Sequence, residues 1–354
     1  MARKITFPNM GNYQIVFKTL FENLGFEVIP PPKTSKKSVE KGLKHSPEFV
    51  CFPFKVCVGN YIQSIEEKGA NTIVMLDTQG ECRFQYFGRL QQKILDDSGY
   101  NISFFTFNAK NALRYLRKLG IFRNSPWRIV RAVWITLWKL KLVELIEDLS
   151  WKTRPREQKS GKTGKVMSKY LDILDKTNSL VKLRRLKREI KESFSSIEID
   201  KSRKPLKIGI VGEIYVIAES YVHRDCDVAL GNLGAEVHKA VRVSTVIKHF
   251  LNPLSKKLFY RQAYPYLKTS VGGHGQDSVA HMLEYAKEGF DGVVHLAPFG
   301  CMPEVTVRPI LNQISKEKKL PLLSLSLDEQ SAEAGIQTRV EAYMDLIKDK
   351  KIRN

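Results

Sequence analysis

The sequence predicts an α/β protein: two parallel-sheet domains facing each other, with a helical segment between them. Three observations predict it. Short apolar runs alternate with helix-period segments up to Phe107. The same alternation returns after Pro205. The stretch between them carries helical spacing only. Strands separated by helices imply right-handed crossovers and a parallel sheet.

In the first part, Lys4–Phe7 reads as a short buried strand, followed by the loop Pro8-Asn9-Met10-Gly11. Tyr13 to Leu24 has apolar residues at helical spacing, and Gly25 is a natural stop. Phe26–Ile29 is the next strand, ended by Pro30-Pro31-Pro32. A polar, Lys-rich linker then leads to Cys51. A helix follows from about Phe54 to Glu67, then the strand Thr72–Leu76. The loop Asp77 to Cys82 precedes a helix to about Asp97, and Ile102–Phe107 closes the unit.

Residues 109–204 read as a helical segment. Trp127, Trp134 and Trp138 stand at helical spacing, expected to pack as core. Arg154 to Lys165, with Pro155, Gly161 and Gly164, reads as an exposed loop. Val181 to Phe194 reads as a highly basic helix.

From residue 205 the α/β pattern resumes. Strands are expected at Leu206–Val211, Ala235–Lys239, Gly292–Leu296 and Leu322–Leu325. Helices are expected at Asp227–Leu233, Ser244–Leu251, Asp277–Glu288, Pro303–Lys318 and Ala332–Leu346. The expected division is 1–108, 109–204 and 205–354, with two sheets of Rossmann or flavodoxin-like type.

The 354 residues suffice for two or three cores. The N-terminus has no apolar signal region, and no uncharged apolar run is long enough to span a bilayer. Five cysteines, an odd count, argue against a disulfide framework, so a reducing cytoplasm is expected. The net charge of +21 is uneven: Lys110 to Lys204 holds 26 Lys+Arg against 10 Asp+Glu. Such a segment suits an acidic partner, nucleic acid or an anionic membrane, or is simply a solvated face.

Three cysteines share one context. Cys51 precedes Phe52-Pro53, Cys82 lies between the strand Thr72–Leu76 and a helix, and Cys301 sits between the strand Gly292–Leu296 and Met302-Pro303. Strand-to-helix loops lie at the carboxyl edge of a parallel sheet, where ligands bind. Helix starts present free N–H groups and positive dipole ends, which stabilise thiolates and anionic clusters. Spacing alone leaves a metal site and three small buried residues both open.

The segments Cys51-Phe52-Pro53-Phe54-Lys55, Gly80-Glu81-Cys82-Arg83-Phe84 and Gly300-Cys301-Met302-Pro303-Glu304 together resemble the 2-hydroxyacyl-CoA dehydratase family, more closely its stand-alone branch associated with ATP-dependent activases. Pro8-Asn9-Met10-Gly11, the stretch Asp328 to Gly335, and Thr338 to Ala342 look like that branch too. The resemblance covers both α/β parts and touches the middle segment only loosely. It implies a [4Fe-4S] cluster held by Cys51, Cys82 and Cys301 at the domain junction. It also implies an activase of the actin/Hsp70-like ATPase superfamily as electron donor, an acyl-CoA or other small substrate, and a homo- or hetero-dimer. Thiolates are the preferred ligands of such clusters.

Other residues are weighed beside these. Cys57 and Cys226 are candidates for an additional ligand, or packed thiols. Glu213 and Tyr215, after the strand Leu206–Val211, sit at the expected carboxyl edge to meet substrate or to cap and pack. His274, between glycines, is a near-cluster candidate or part of a flexible surface loop. Arg83 suits a cluster sulfide, an anionic substrate or a salt bridge. His295 reads as a satisfied core histidine. Asp328-Glu329 suits acid–base work or a helix start. Ser160-Gly161-Lys162-Thr163 lacks the earlier glycine and the preceding strand of a phosphate loop. No glycine fingerprint follows a strand, so NAD is unsupported.

The favoured expectation is an iron-sulfur electron-transfer or reductase component. An authentic 2-hydroxyacyl-CoA dehydratase subunit is the second. A non-catalytic regulatory protein that keeps the fold and binds polyanions is the third.

Overall fold

The computed structural model describes residues 3–76, 81–108 and 111–353. Its elements in chain order are β1 (Lys4–Thr6), α1 (Gln14–Asn23), β2 (Glu27–Val28), α2 (Lys36–His45), α3 (Phe52–Lys68), β3 (Thr72–Leu76), α4 (Phe87–Asp97) and β4 (Ser103–Phe107). Next come the helices α5 (Ala112–Leu119), α6 (Pro126–Thr153), α7 (Lys162–Lys176) and α8 (Leu180–Ser195). The last part holds β5 (Leu206–Gly212), α9 (Ile214–Ala218), α10 (Cys226–Asn232), β6 (Ala235–Lys239), α11 (Val243–Leu251) and α12 (Pro253–Arg261). It ends with α13 (Gly275–Lys287), β7 (Gly292–Pro298), α14 (Met302–Glu317), β8 (Leu322–Leu327) and α15 (Glu333–Arg353).

The two sheets are each four-stranded and all-parallel, in the orders β2-β1-β3-β4 and β6-β5-β7-β8. The expected α/β class with two parallel-sheet domains is therefore present. Both sheets reverse their winding at the same place, between first and third strand. In such sheets the crevice beyond the carboxyl ends at that reversal is where ligands bind.

Local sequence explains the elements that frame this crevice. All seven residues of β7 are buried, and an apolar run covered on both faces is what a central parallel strand requires. Helix α3 starts at Cys51 with Pro53 in its first turn, and stops at Gly69 in the left-handed region. It crosses α2 closely. A Cβ on Gly59 would lie 1.8 Å from the Ser38 carbonyl oxygen, and one on Gly42 would lie 1.9 Å from that of Lys55.

One apolar cluster runs across both sheet domains, joining Phe52, Phe54, Tyr61 and Met75 to Ile208, Val216, Leu296 and Val340. A second core binds the helical segment to α1 through Ile135, Leu142, Ile146, Leu174 and Ile190. Full burial of each such side chain is worth roughly 1.5–3 kcal/mol. No helix among the described residues is long and apolar enough to cross a membrane.

Three expectations need correction. The Lys-rich linker contains α2, which Ser35 starts by exchanging hydrogen bonds with Ser38 in a capping box. Trp127 and Trp134 are 79% and 56% exposed, because the core of α6 lies on its Ile135–Leu142 face; only Trp138 packs against that core. Arg154 to Lys165 is not an exposed loop. Arg154, Pro155 and Glu157 are buried, and α7 starts at Lys162.

Candidate functional site

Each of the three cysteines stands at the N-terminal cap of a helical turn: Cys51 on α3, Cys82 on a short 3-10 turn (Arg83–Tyr86), and Cys301 on α14. The sequence builds this locally. Pro53 and Pro303 sit in the first turns of α3 and α14, where a missing N–H costs nothing. The N–H groups of Phe54, Phe84 and Glu304 favour the thiolates of Cys51, Cys82 and Cys301 in turn. The Phe84 N–H donates to Cys82 Sγ at 3.5 Å. Residues 77–80 of the loop before Cys82 lie outside the described residues.

The folded chain brings these three turns to one junction. The Phe52 N–H donates to the Phe299 carbonyl at 3.2 Å, tying the turn of Cys51 to that of Cys301. Gly300 has φ +75°, and a Cβ there would lie 3.4 Å from Cys51 Cα. Gly273 has φ +50°, and a Cβ there would lie 3.6 Å from Cys82 Sγ and 3.0 Å from Pro303 Cγ. The loops meet in van der Waals contact there, and both glycines take backbone shapes that other residues resist.

Arg83 fastens the same junction. Its guanidinium donates to the Phe49 carbonyl at 3.1 Å and to the Gly300 carbonyl at 2.6 Å. A planar fork suits two carbonyls held side by side. Among the described residues its hydrogen bonds are with backbone from both sheet domains.

Two carboxylates and a histidine complete the surround. Glu213 caps α9, its Oε2 accepting from the Val216 N–H at 3.0 Å. Burial raises its affinity for a proton above the ordinary carboxylate range, while nearby His274 opposes the shift. Glu304 is fully buried, its Oε2 accepting from Ser278 Oγ at 3.0 Å and paired with His295 Nε2 at 2.9 Å. Among the described residues its Oε1 has no hydrogen-bond partner. His295 also meets Ser324 Oγ at 2.9 Å, so the expected satisfied core histidine is what the fold contains. His274 Nδ1 lies 3.0 Å from Asp277 Oδ2 and is part of an ordered cap of α13, not a flexible surface loop.

Burial pushes the Cys51 thiol up to about 12, and Glu213 adds to the shift. Burial likewise raises Cys301, with Glu304 and Glu213 acting in the same sense. Cys82 shifts upward from burial too, and also feels Glu213. Without a positive centre these sulfurs therefore stay protonated. A metal centre reverses that balance, because its charge deprotonates coordinating thiols outright.

Cys57 is buried nearly two helical turns beyond Cys51, faces Tyr215, and feels Cys51 and Glu213. Cys226 is placed differently. Its electrostatic neighbours are Asp227 and Lys239, and none of the other cysteines is among them. Glu329 pairs with Lys55 at 2.7 Å, and Asp328 caps the turn through the Gln330 N–H. The amides of Gly161 and Thr163 are occupied by the Glu157 carboxylate at 2.8 and 2.7 Å, so an internal acid fills the place a phosphate would take.

Among the described residues, no group of three or more His, Cys, Asp or Glu side chains is spaced to hold a single metal ion. In a cubane each ligand holds a different iron, so its ligands stand further apart than those of a mononuclear site. A family profile described as "CoA enzyme activase uncharacterised domain (DUF2229)" matches residues 7–75. That stretch includes Cys51 and leaves Cys82 and Cys301 outside. The match fits the activase-associated branch in general without being specific to it. No curated protein matches the chain.

Glu304, Asp277 and Tyr260 were not legible as site residues in the sequence. The third position after each helix-capping residue, Cys301 and His274, was the available signal.

Proposed function

We propose that the chain is an iron-sulfur electron-transfer or reductase component. In this reading Cys51, Cys82 and Cys301 hold a [4Fe-4S] cluster at the junction of the two sheets. An ATP-hydrolysing activase of the actin/Hsp70-like superfamily reduces it. The observation that carries the reading is the meeting of three helix-capping cysteines from both domains at one half-buried junction. The donor set fits: three thiols are the soft ligands that iron-sulfur clusters take.

Such a cluster stores and passes on one electron at a potential set by hydrogen bonds to sulfur, net charge and solvent access. The chain's own residues supply those settings. The Phe84 N–H donates to Cys82 Sγ, and the N–H groups of Phe54 and Glu304 favour the thiolates of Cys51 and Cys301. Glu213 and Glu304 add negative charge behind them, which favours a low potential. Arg83 holds the two domains in register. The basic surface of the 109–204 segment suits an acidic docking partner by charge.

The test is reduction by the partner class. Anaerobically purified protein is mixed with a reduced activase and ATP, and its visible absorption is followed. Bleaching that requires ATP hydrolysis supports the reading. A chromophore that no activase and no strong chemical reductant bleaches contradicts it.

A further inference from the structure

The two sheets share one strand order, and this gives each site residue a counterpart. Cys82 follows the third strand of its sheet, β3, and Cys301 follows the third strand of the other, β7. Cys51 starts α3, the crossover helix that leads into that third strand. In the second domain the helix leading into the third strand is α13, and the residue at its N-terminal cap is His274. Two of the three thiols are thus a symmetric pair, and the third has a histidine as its counterpart.

The surroundings of His274 have the form of a ligand's surroundings. Its Nδ1 is held 3.0 Å from Asp277 Oδ2, and Asp277 Oδ1 accepts from the Tyr260 hydroxyl at 3.0 Å. A carboxylate on one ring nitrogen fixes tautomer and ring plane, and metal-bound histidines almost always have such a partner. Among the described residues Nε2 has no hydrogen-bond partner. Gly272 and Gly273, at φ +77° and +50°, lay the preceding loop against Cys82. A Cβ on Gly272 would lie 2.5 Å from the Cys82 nitrogen. Only glycine allows that approach, and it brings the histidine to the cysteine junction.

We infer that His274, through Nε2, is the fourth protein ligand of the cluster, completing a three-cysteine, one-histidine set. The inference rests on the cluster reading above. Imidazole nitrogen is an established substitute for thiolate at iron-sulfur iron. Glu213 is less suited, because one of its oxygens is already committed to the Val216 N–H.

The experiment uses the full chain, purified anaerobically after growth with 15N-histidine or 14N-histidine. The reduced protein is examined by pulsed electron paramagnetic resonance. The inference expects a strong histidine-nitrogen coupling in the wild type. It expects that coupling to vanish in His274→Ala while the iron content is kept. If the variant loses its iron, His274→Cys must restore it, since a thiol can ligate but cannot replace the ring's hydrogen bond to Asp277. Absence of the coupling in iron-loaded wild type, its survival in iron-loaded His274→Ala, or failure of the cysteine rescue overturns the inference and leaves the three-cysteine cluster standing. Iron-free wild type overturns both.

Discussion

Arg83 spans the junction between the two sheet domains, its guanidinium 2.6 Å from the carbonyl oxygen of Gly300, the residue next to Cys301. Its other arm reaches the Phe49 carbonyl, two residues before Cys51. One side chain thus fixes the spacing of all three cysteine turns.

Arg83→Gln is expected to lower stability by about 1 kcal/mol, the modest end for charge-assisted bonds because the side chain is exposed. Arg83→Lys should not restore it, since an ammonium cannot serve two carbonyls as a planar fork does. Urea denaturation of the two variants beside wild type measures this. Wild-type stability in Arg83→Lys contradicts the bridging role.

Glu219 gives a pH prediction that does not involve Cys51, Cys82 or Cys301. Burial raises it from 4.5 to about 7, although its Oε2 accepts from the Gly11 N–H at 3.0 Å. Between those values the folded state keeps a proton that the unfolded state has lost. Stability therefore falls as pH rises from 4.5 to 7 and is level above. Glu219→Gln keeps an acceptor for Gly11 and removes the titration. It should gain about 1–3 kcal/mol at pH 8 and little at pH 4.5. Denaturation midpoints across that range decide; equal effects at both ends contradict the assignment.

Gly59→Ala is expected to destabilise by about 1–3 kcal/mol, although alanine is the better helix former by about 1 kcal/mol. The added methyl would meet the Ser38 carbonyl at 1.8 Å, so α2 must move off α3. Thermal unfolding tests it, and a raised midpoint contradicts the close crossing.

His295→Ala should cost about 3 kcal/mol or more. It leaves a cavity and strips Glu304 of its buried partner at 2.9 Å. The double variant with Glu304→Gln should recover part of that loss, because the stranded charge is gone. A double-mutant cycle measures the coupling; strict additivity contradicts it.

Much of the fold was legible because its signals are local. The buried runs of β5 and β7, the glycine stops and Pro205 are readable from neighbours alone. Helix α2 was missed because its ten residues are nearly all polar, and only Ser35 and Ser38 marked its start. Trp127 and Trp134 were misread because periodicity tells which residues share a face, not what covers that face. The context of each cysteine was visible, but their meeting was not. It depends on glycines at 272, 273 and 300 whose partners lie far away in the chain. Glu304 and Asp277 looked like ordinary first-turn acids of helices until the fold gave them His295 and His274.

Iron and acid-labile sulfide analysis of the anaerobically purified chain, beside Cys51→Ala, Cys82→Ala and Cys301→Ala, tests the central claim most directly. The account predicts about four irons and about four sulfides per wild-type chain. It predicts sharp loss of both in each variant, while Cys226→Ala keeps them. Iron-free wild-type protein from iron-replete anaerobic cells, or full iron content in the three cysteine variants, would contradict it.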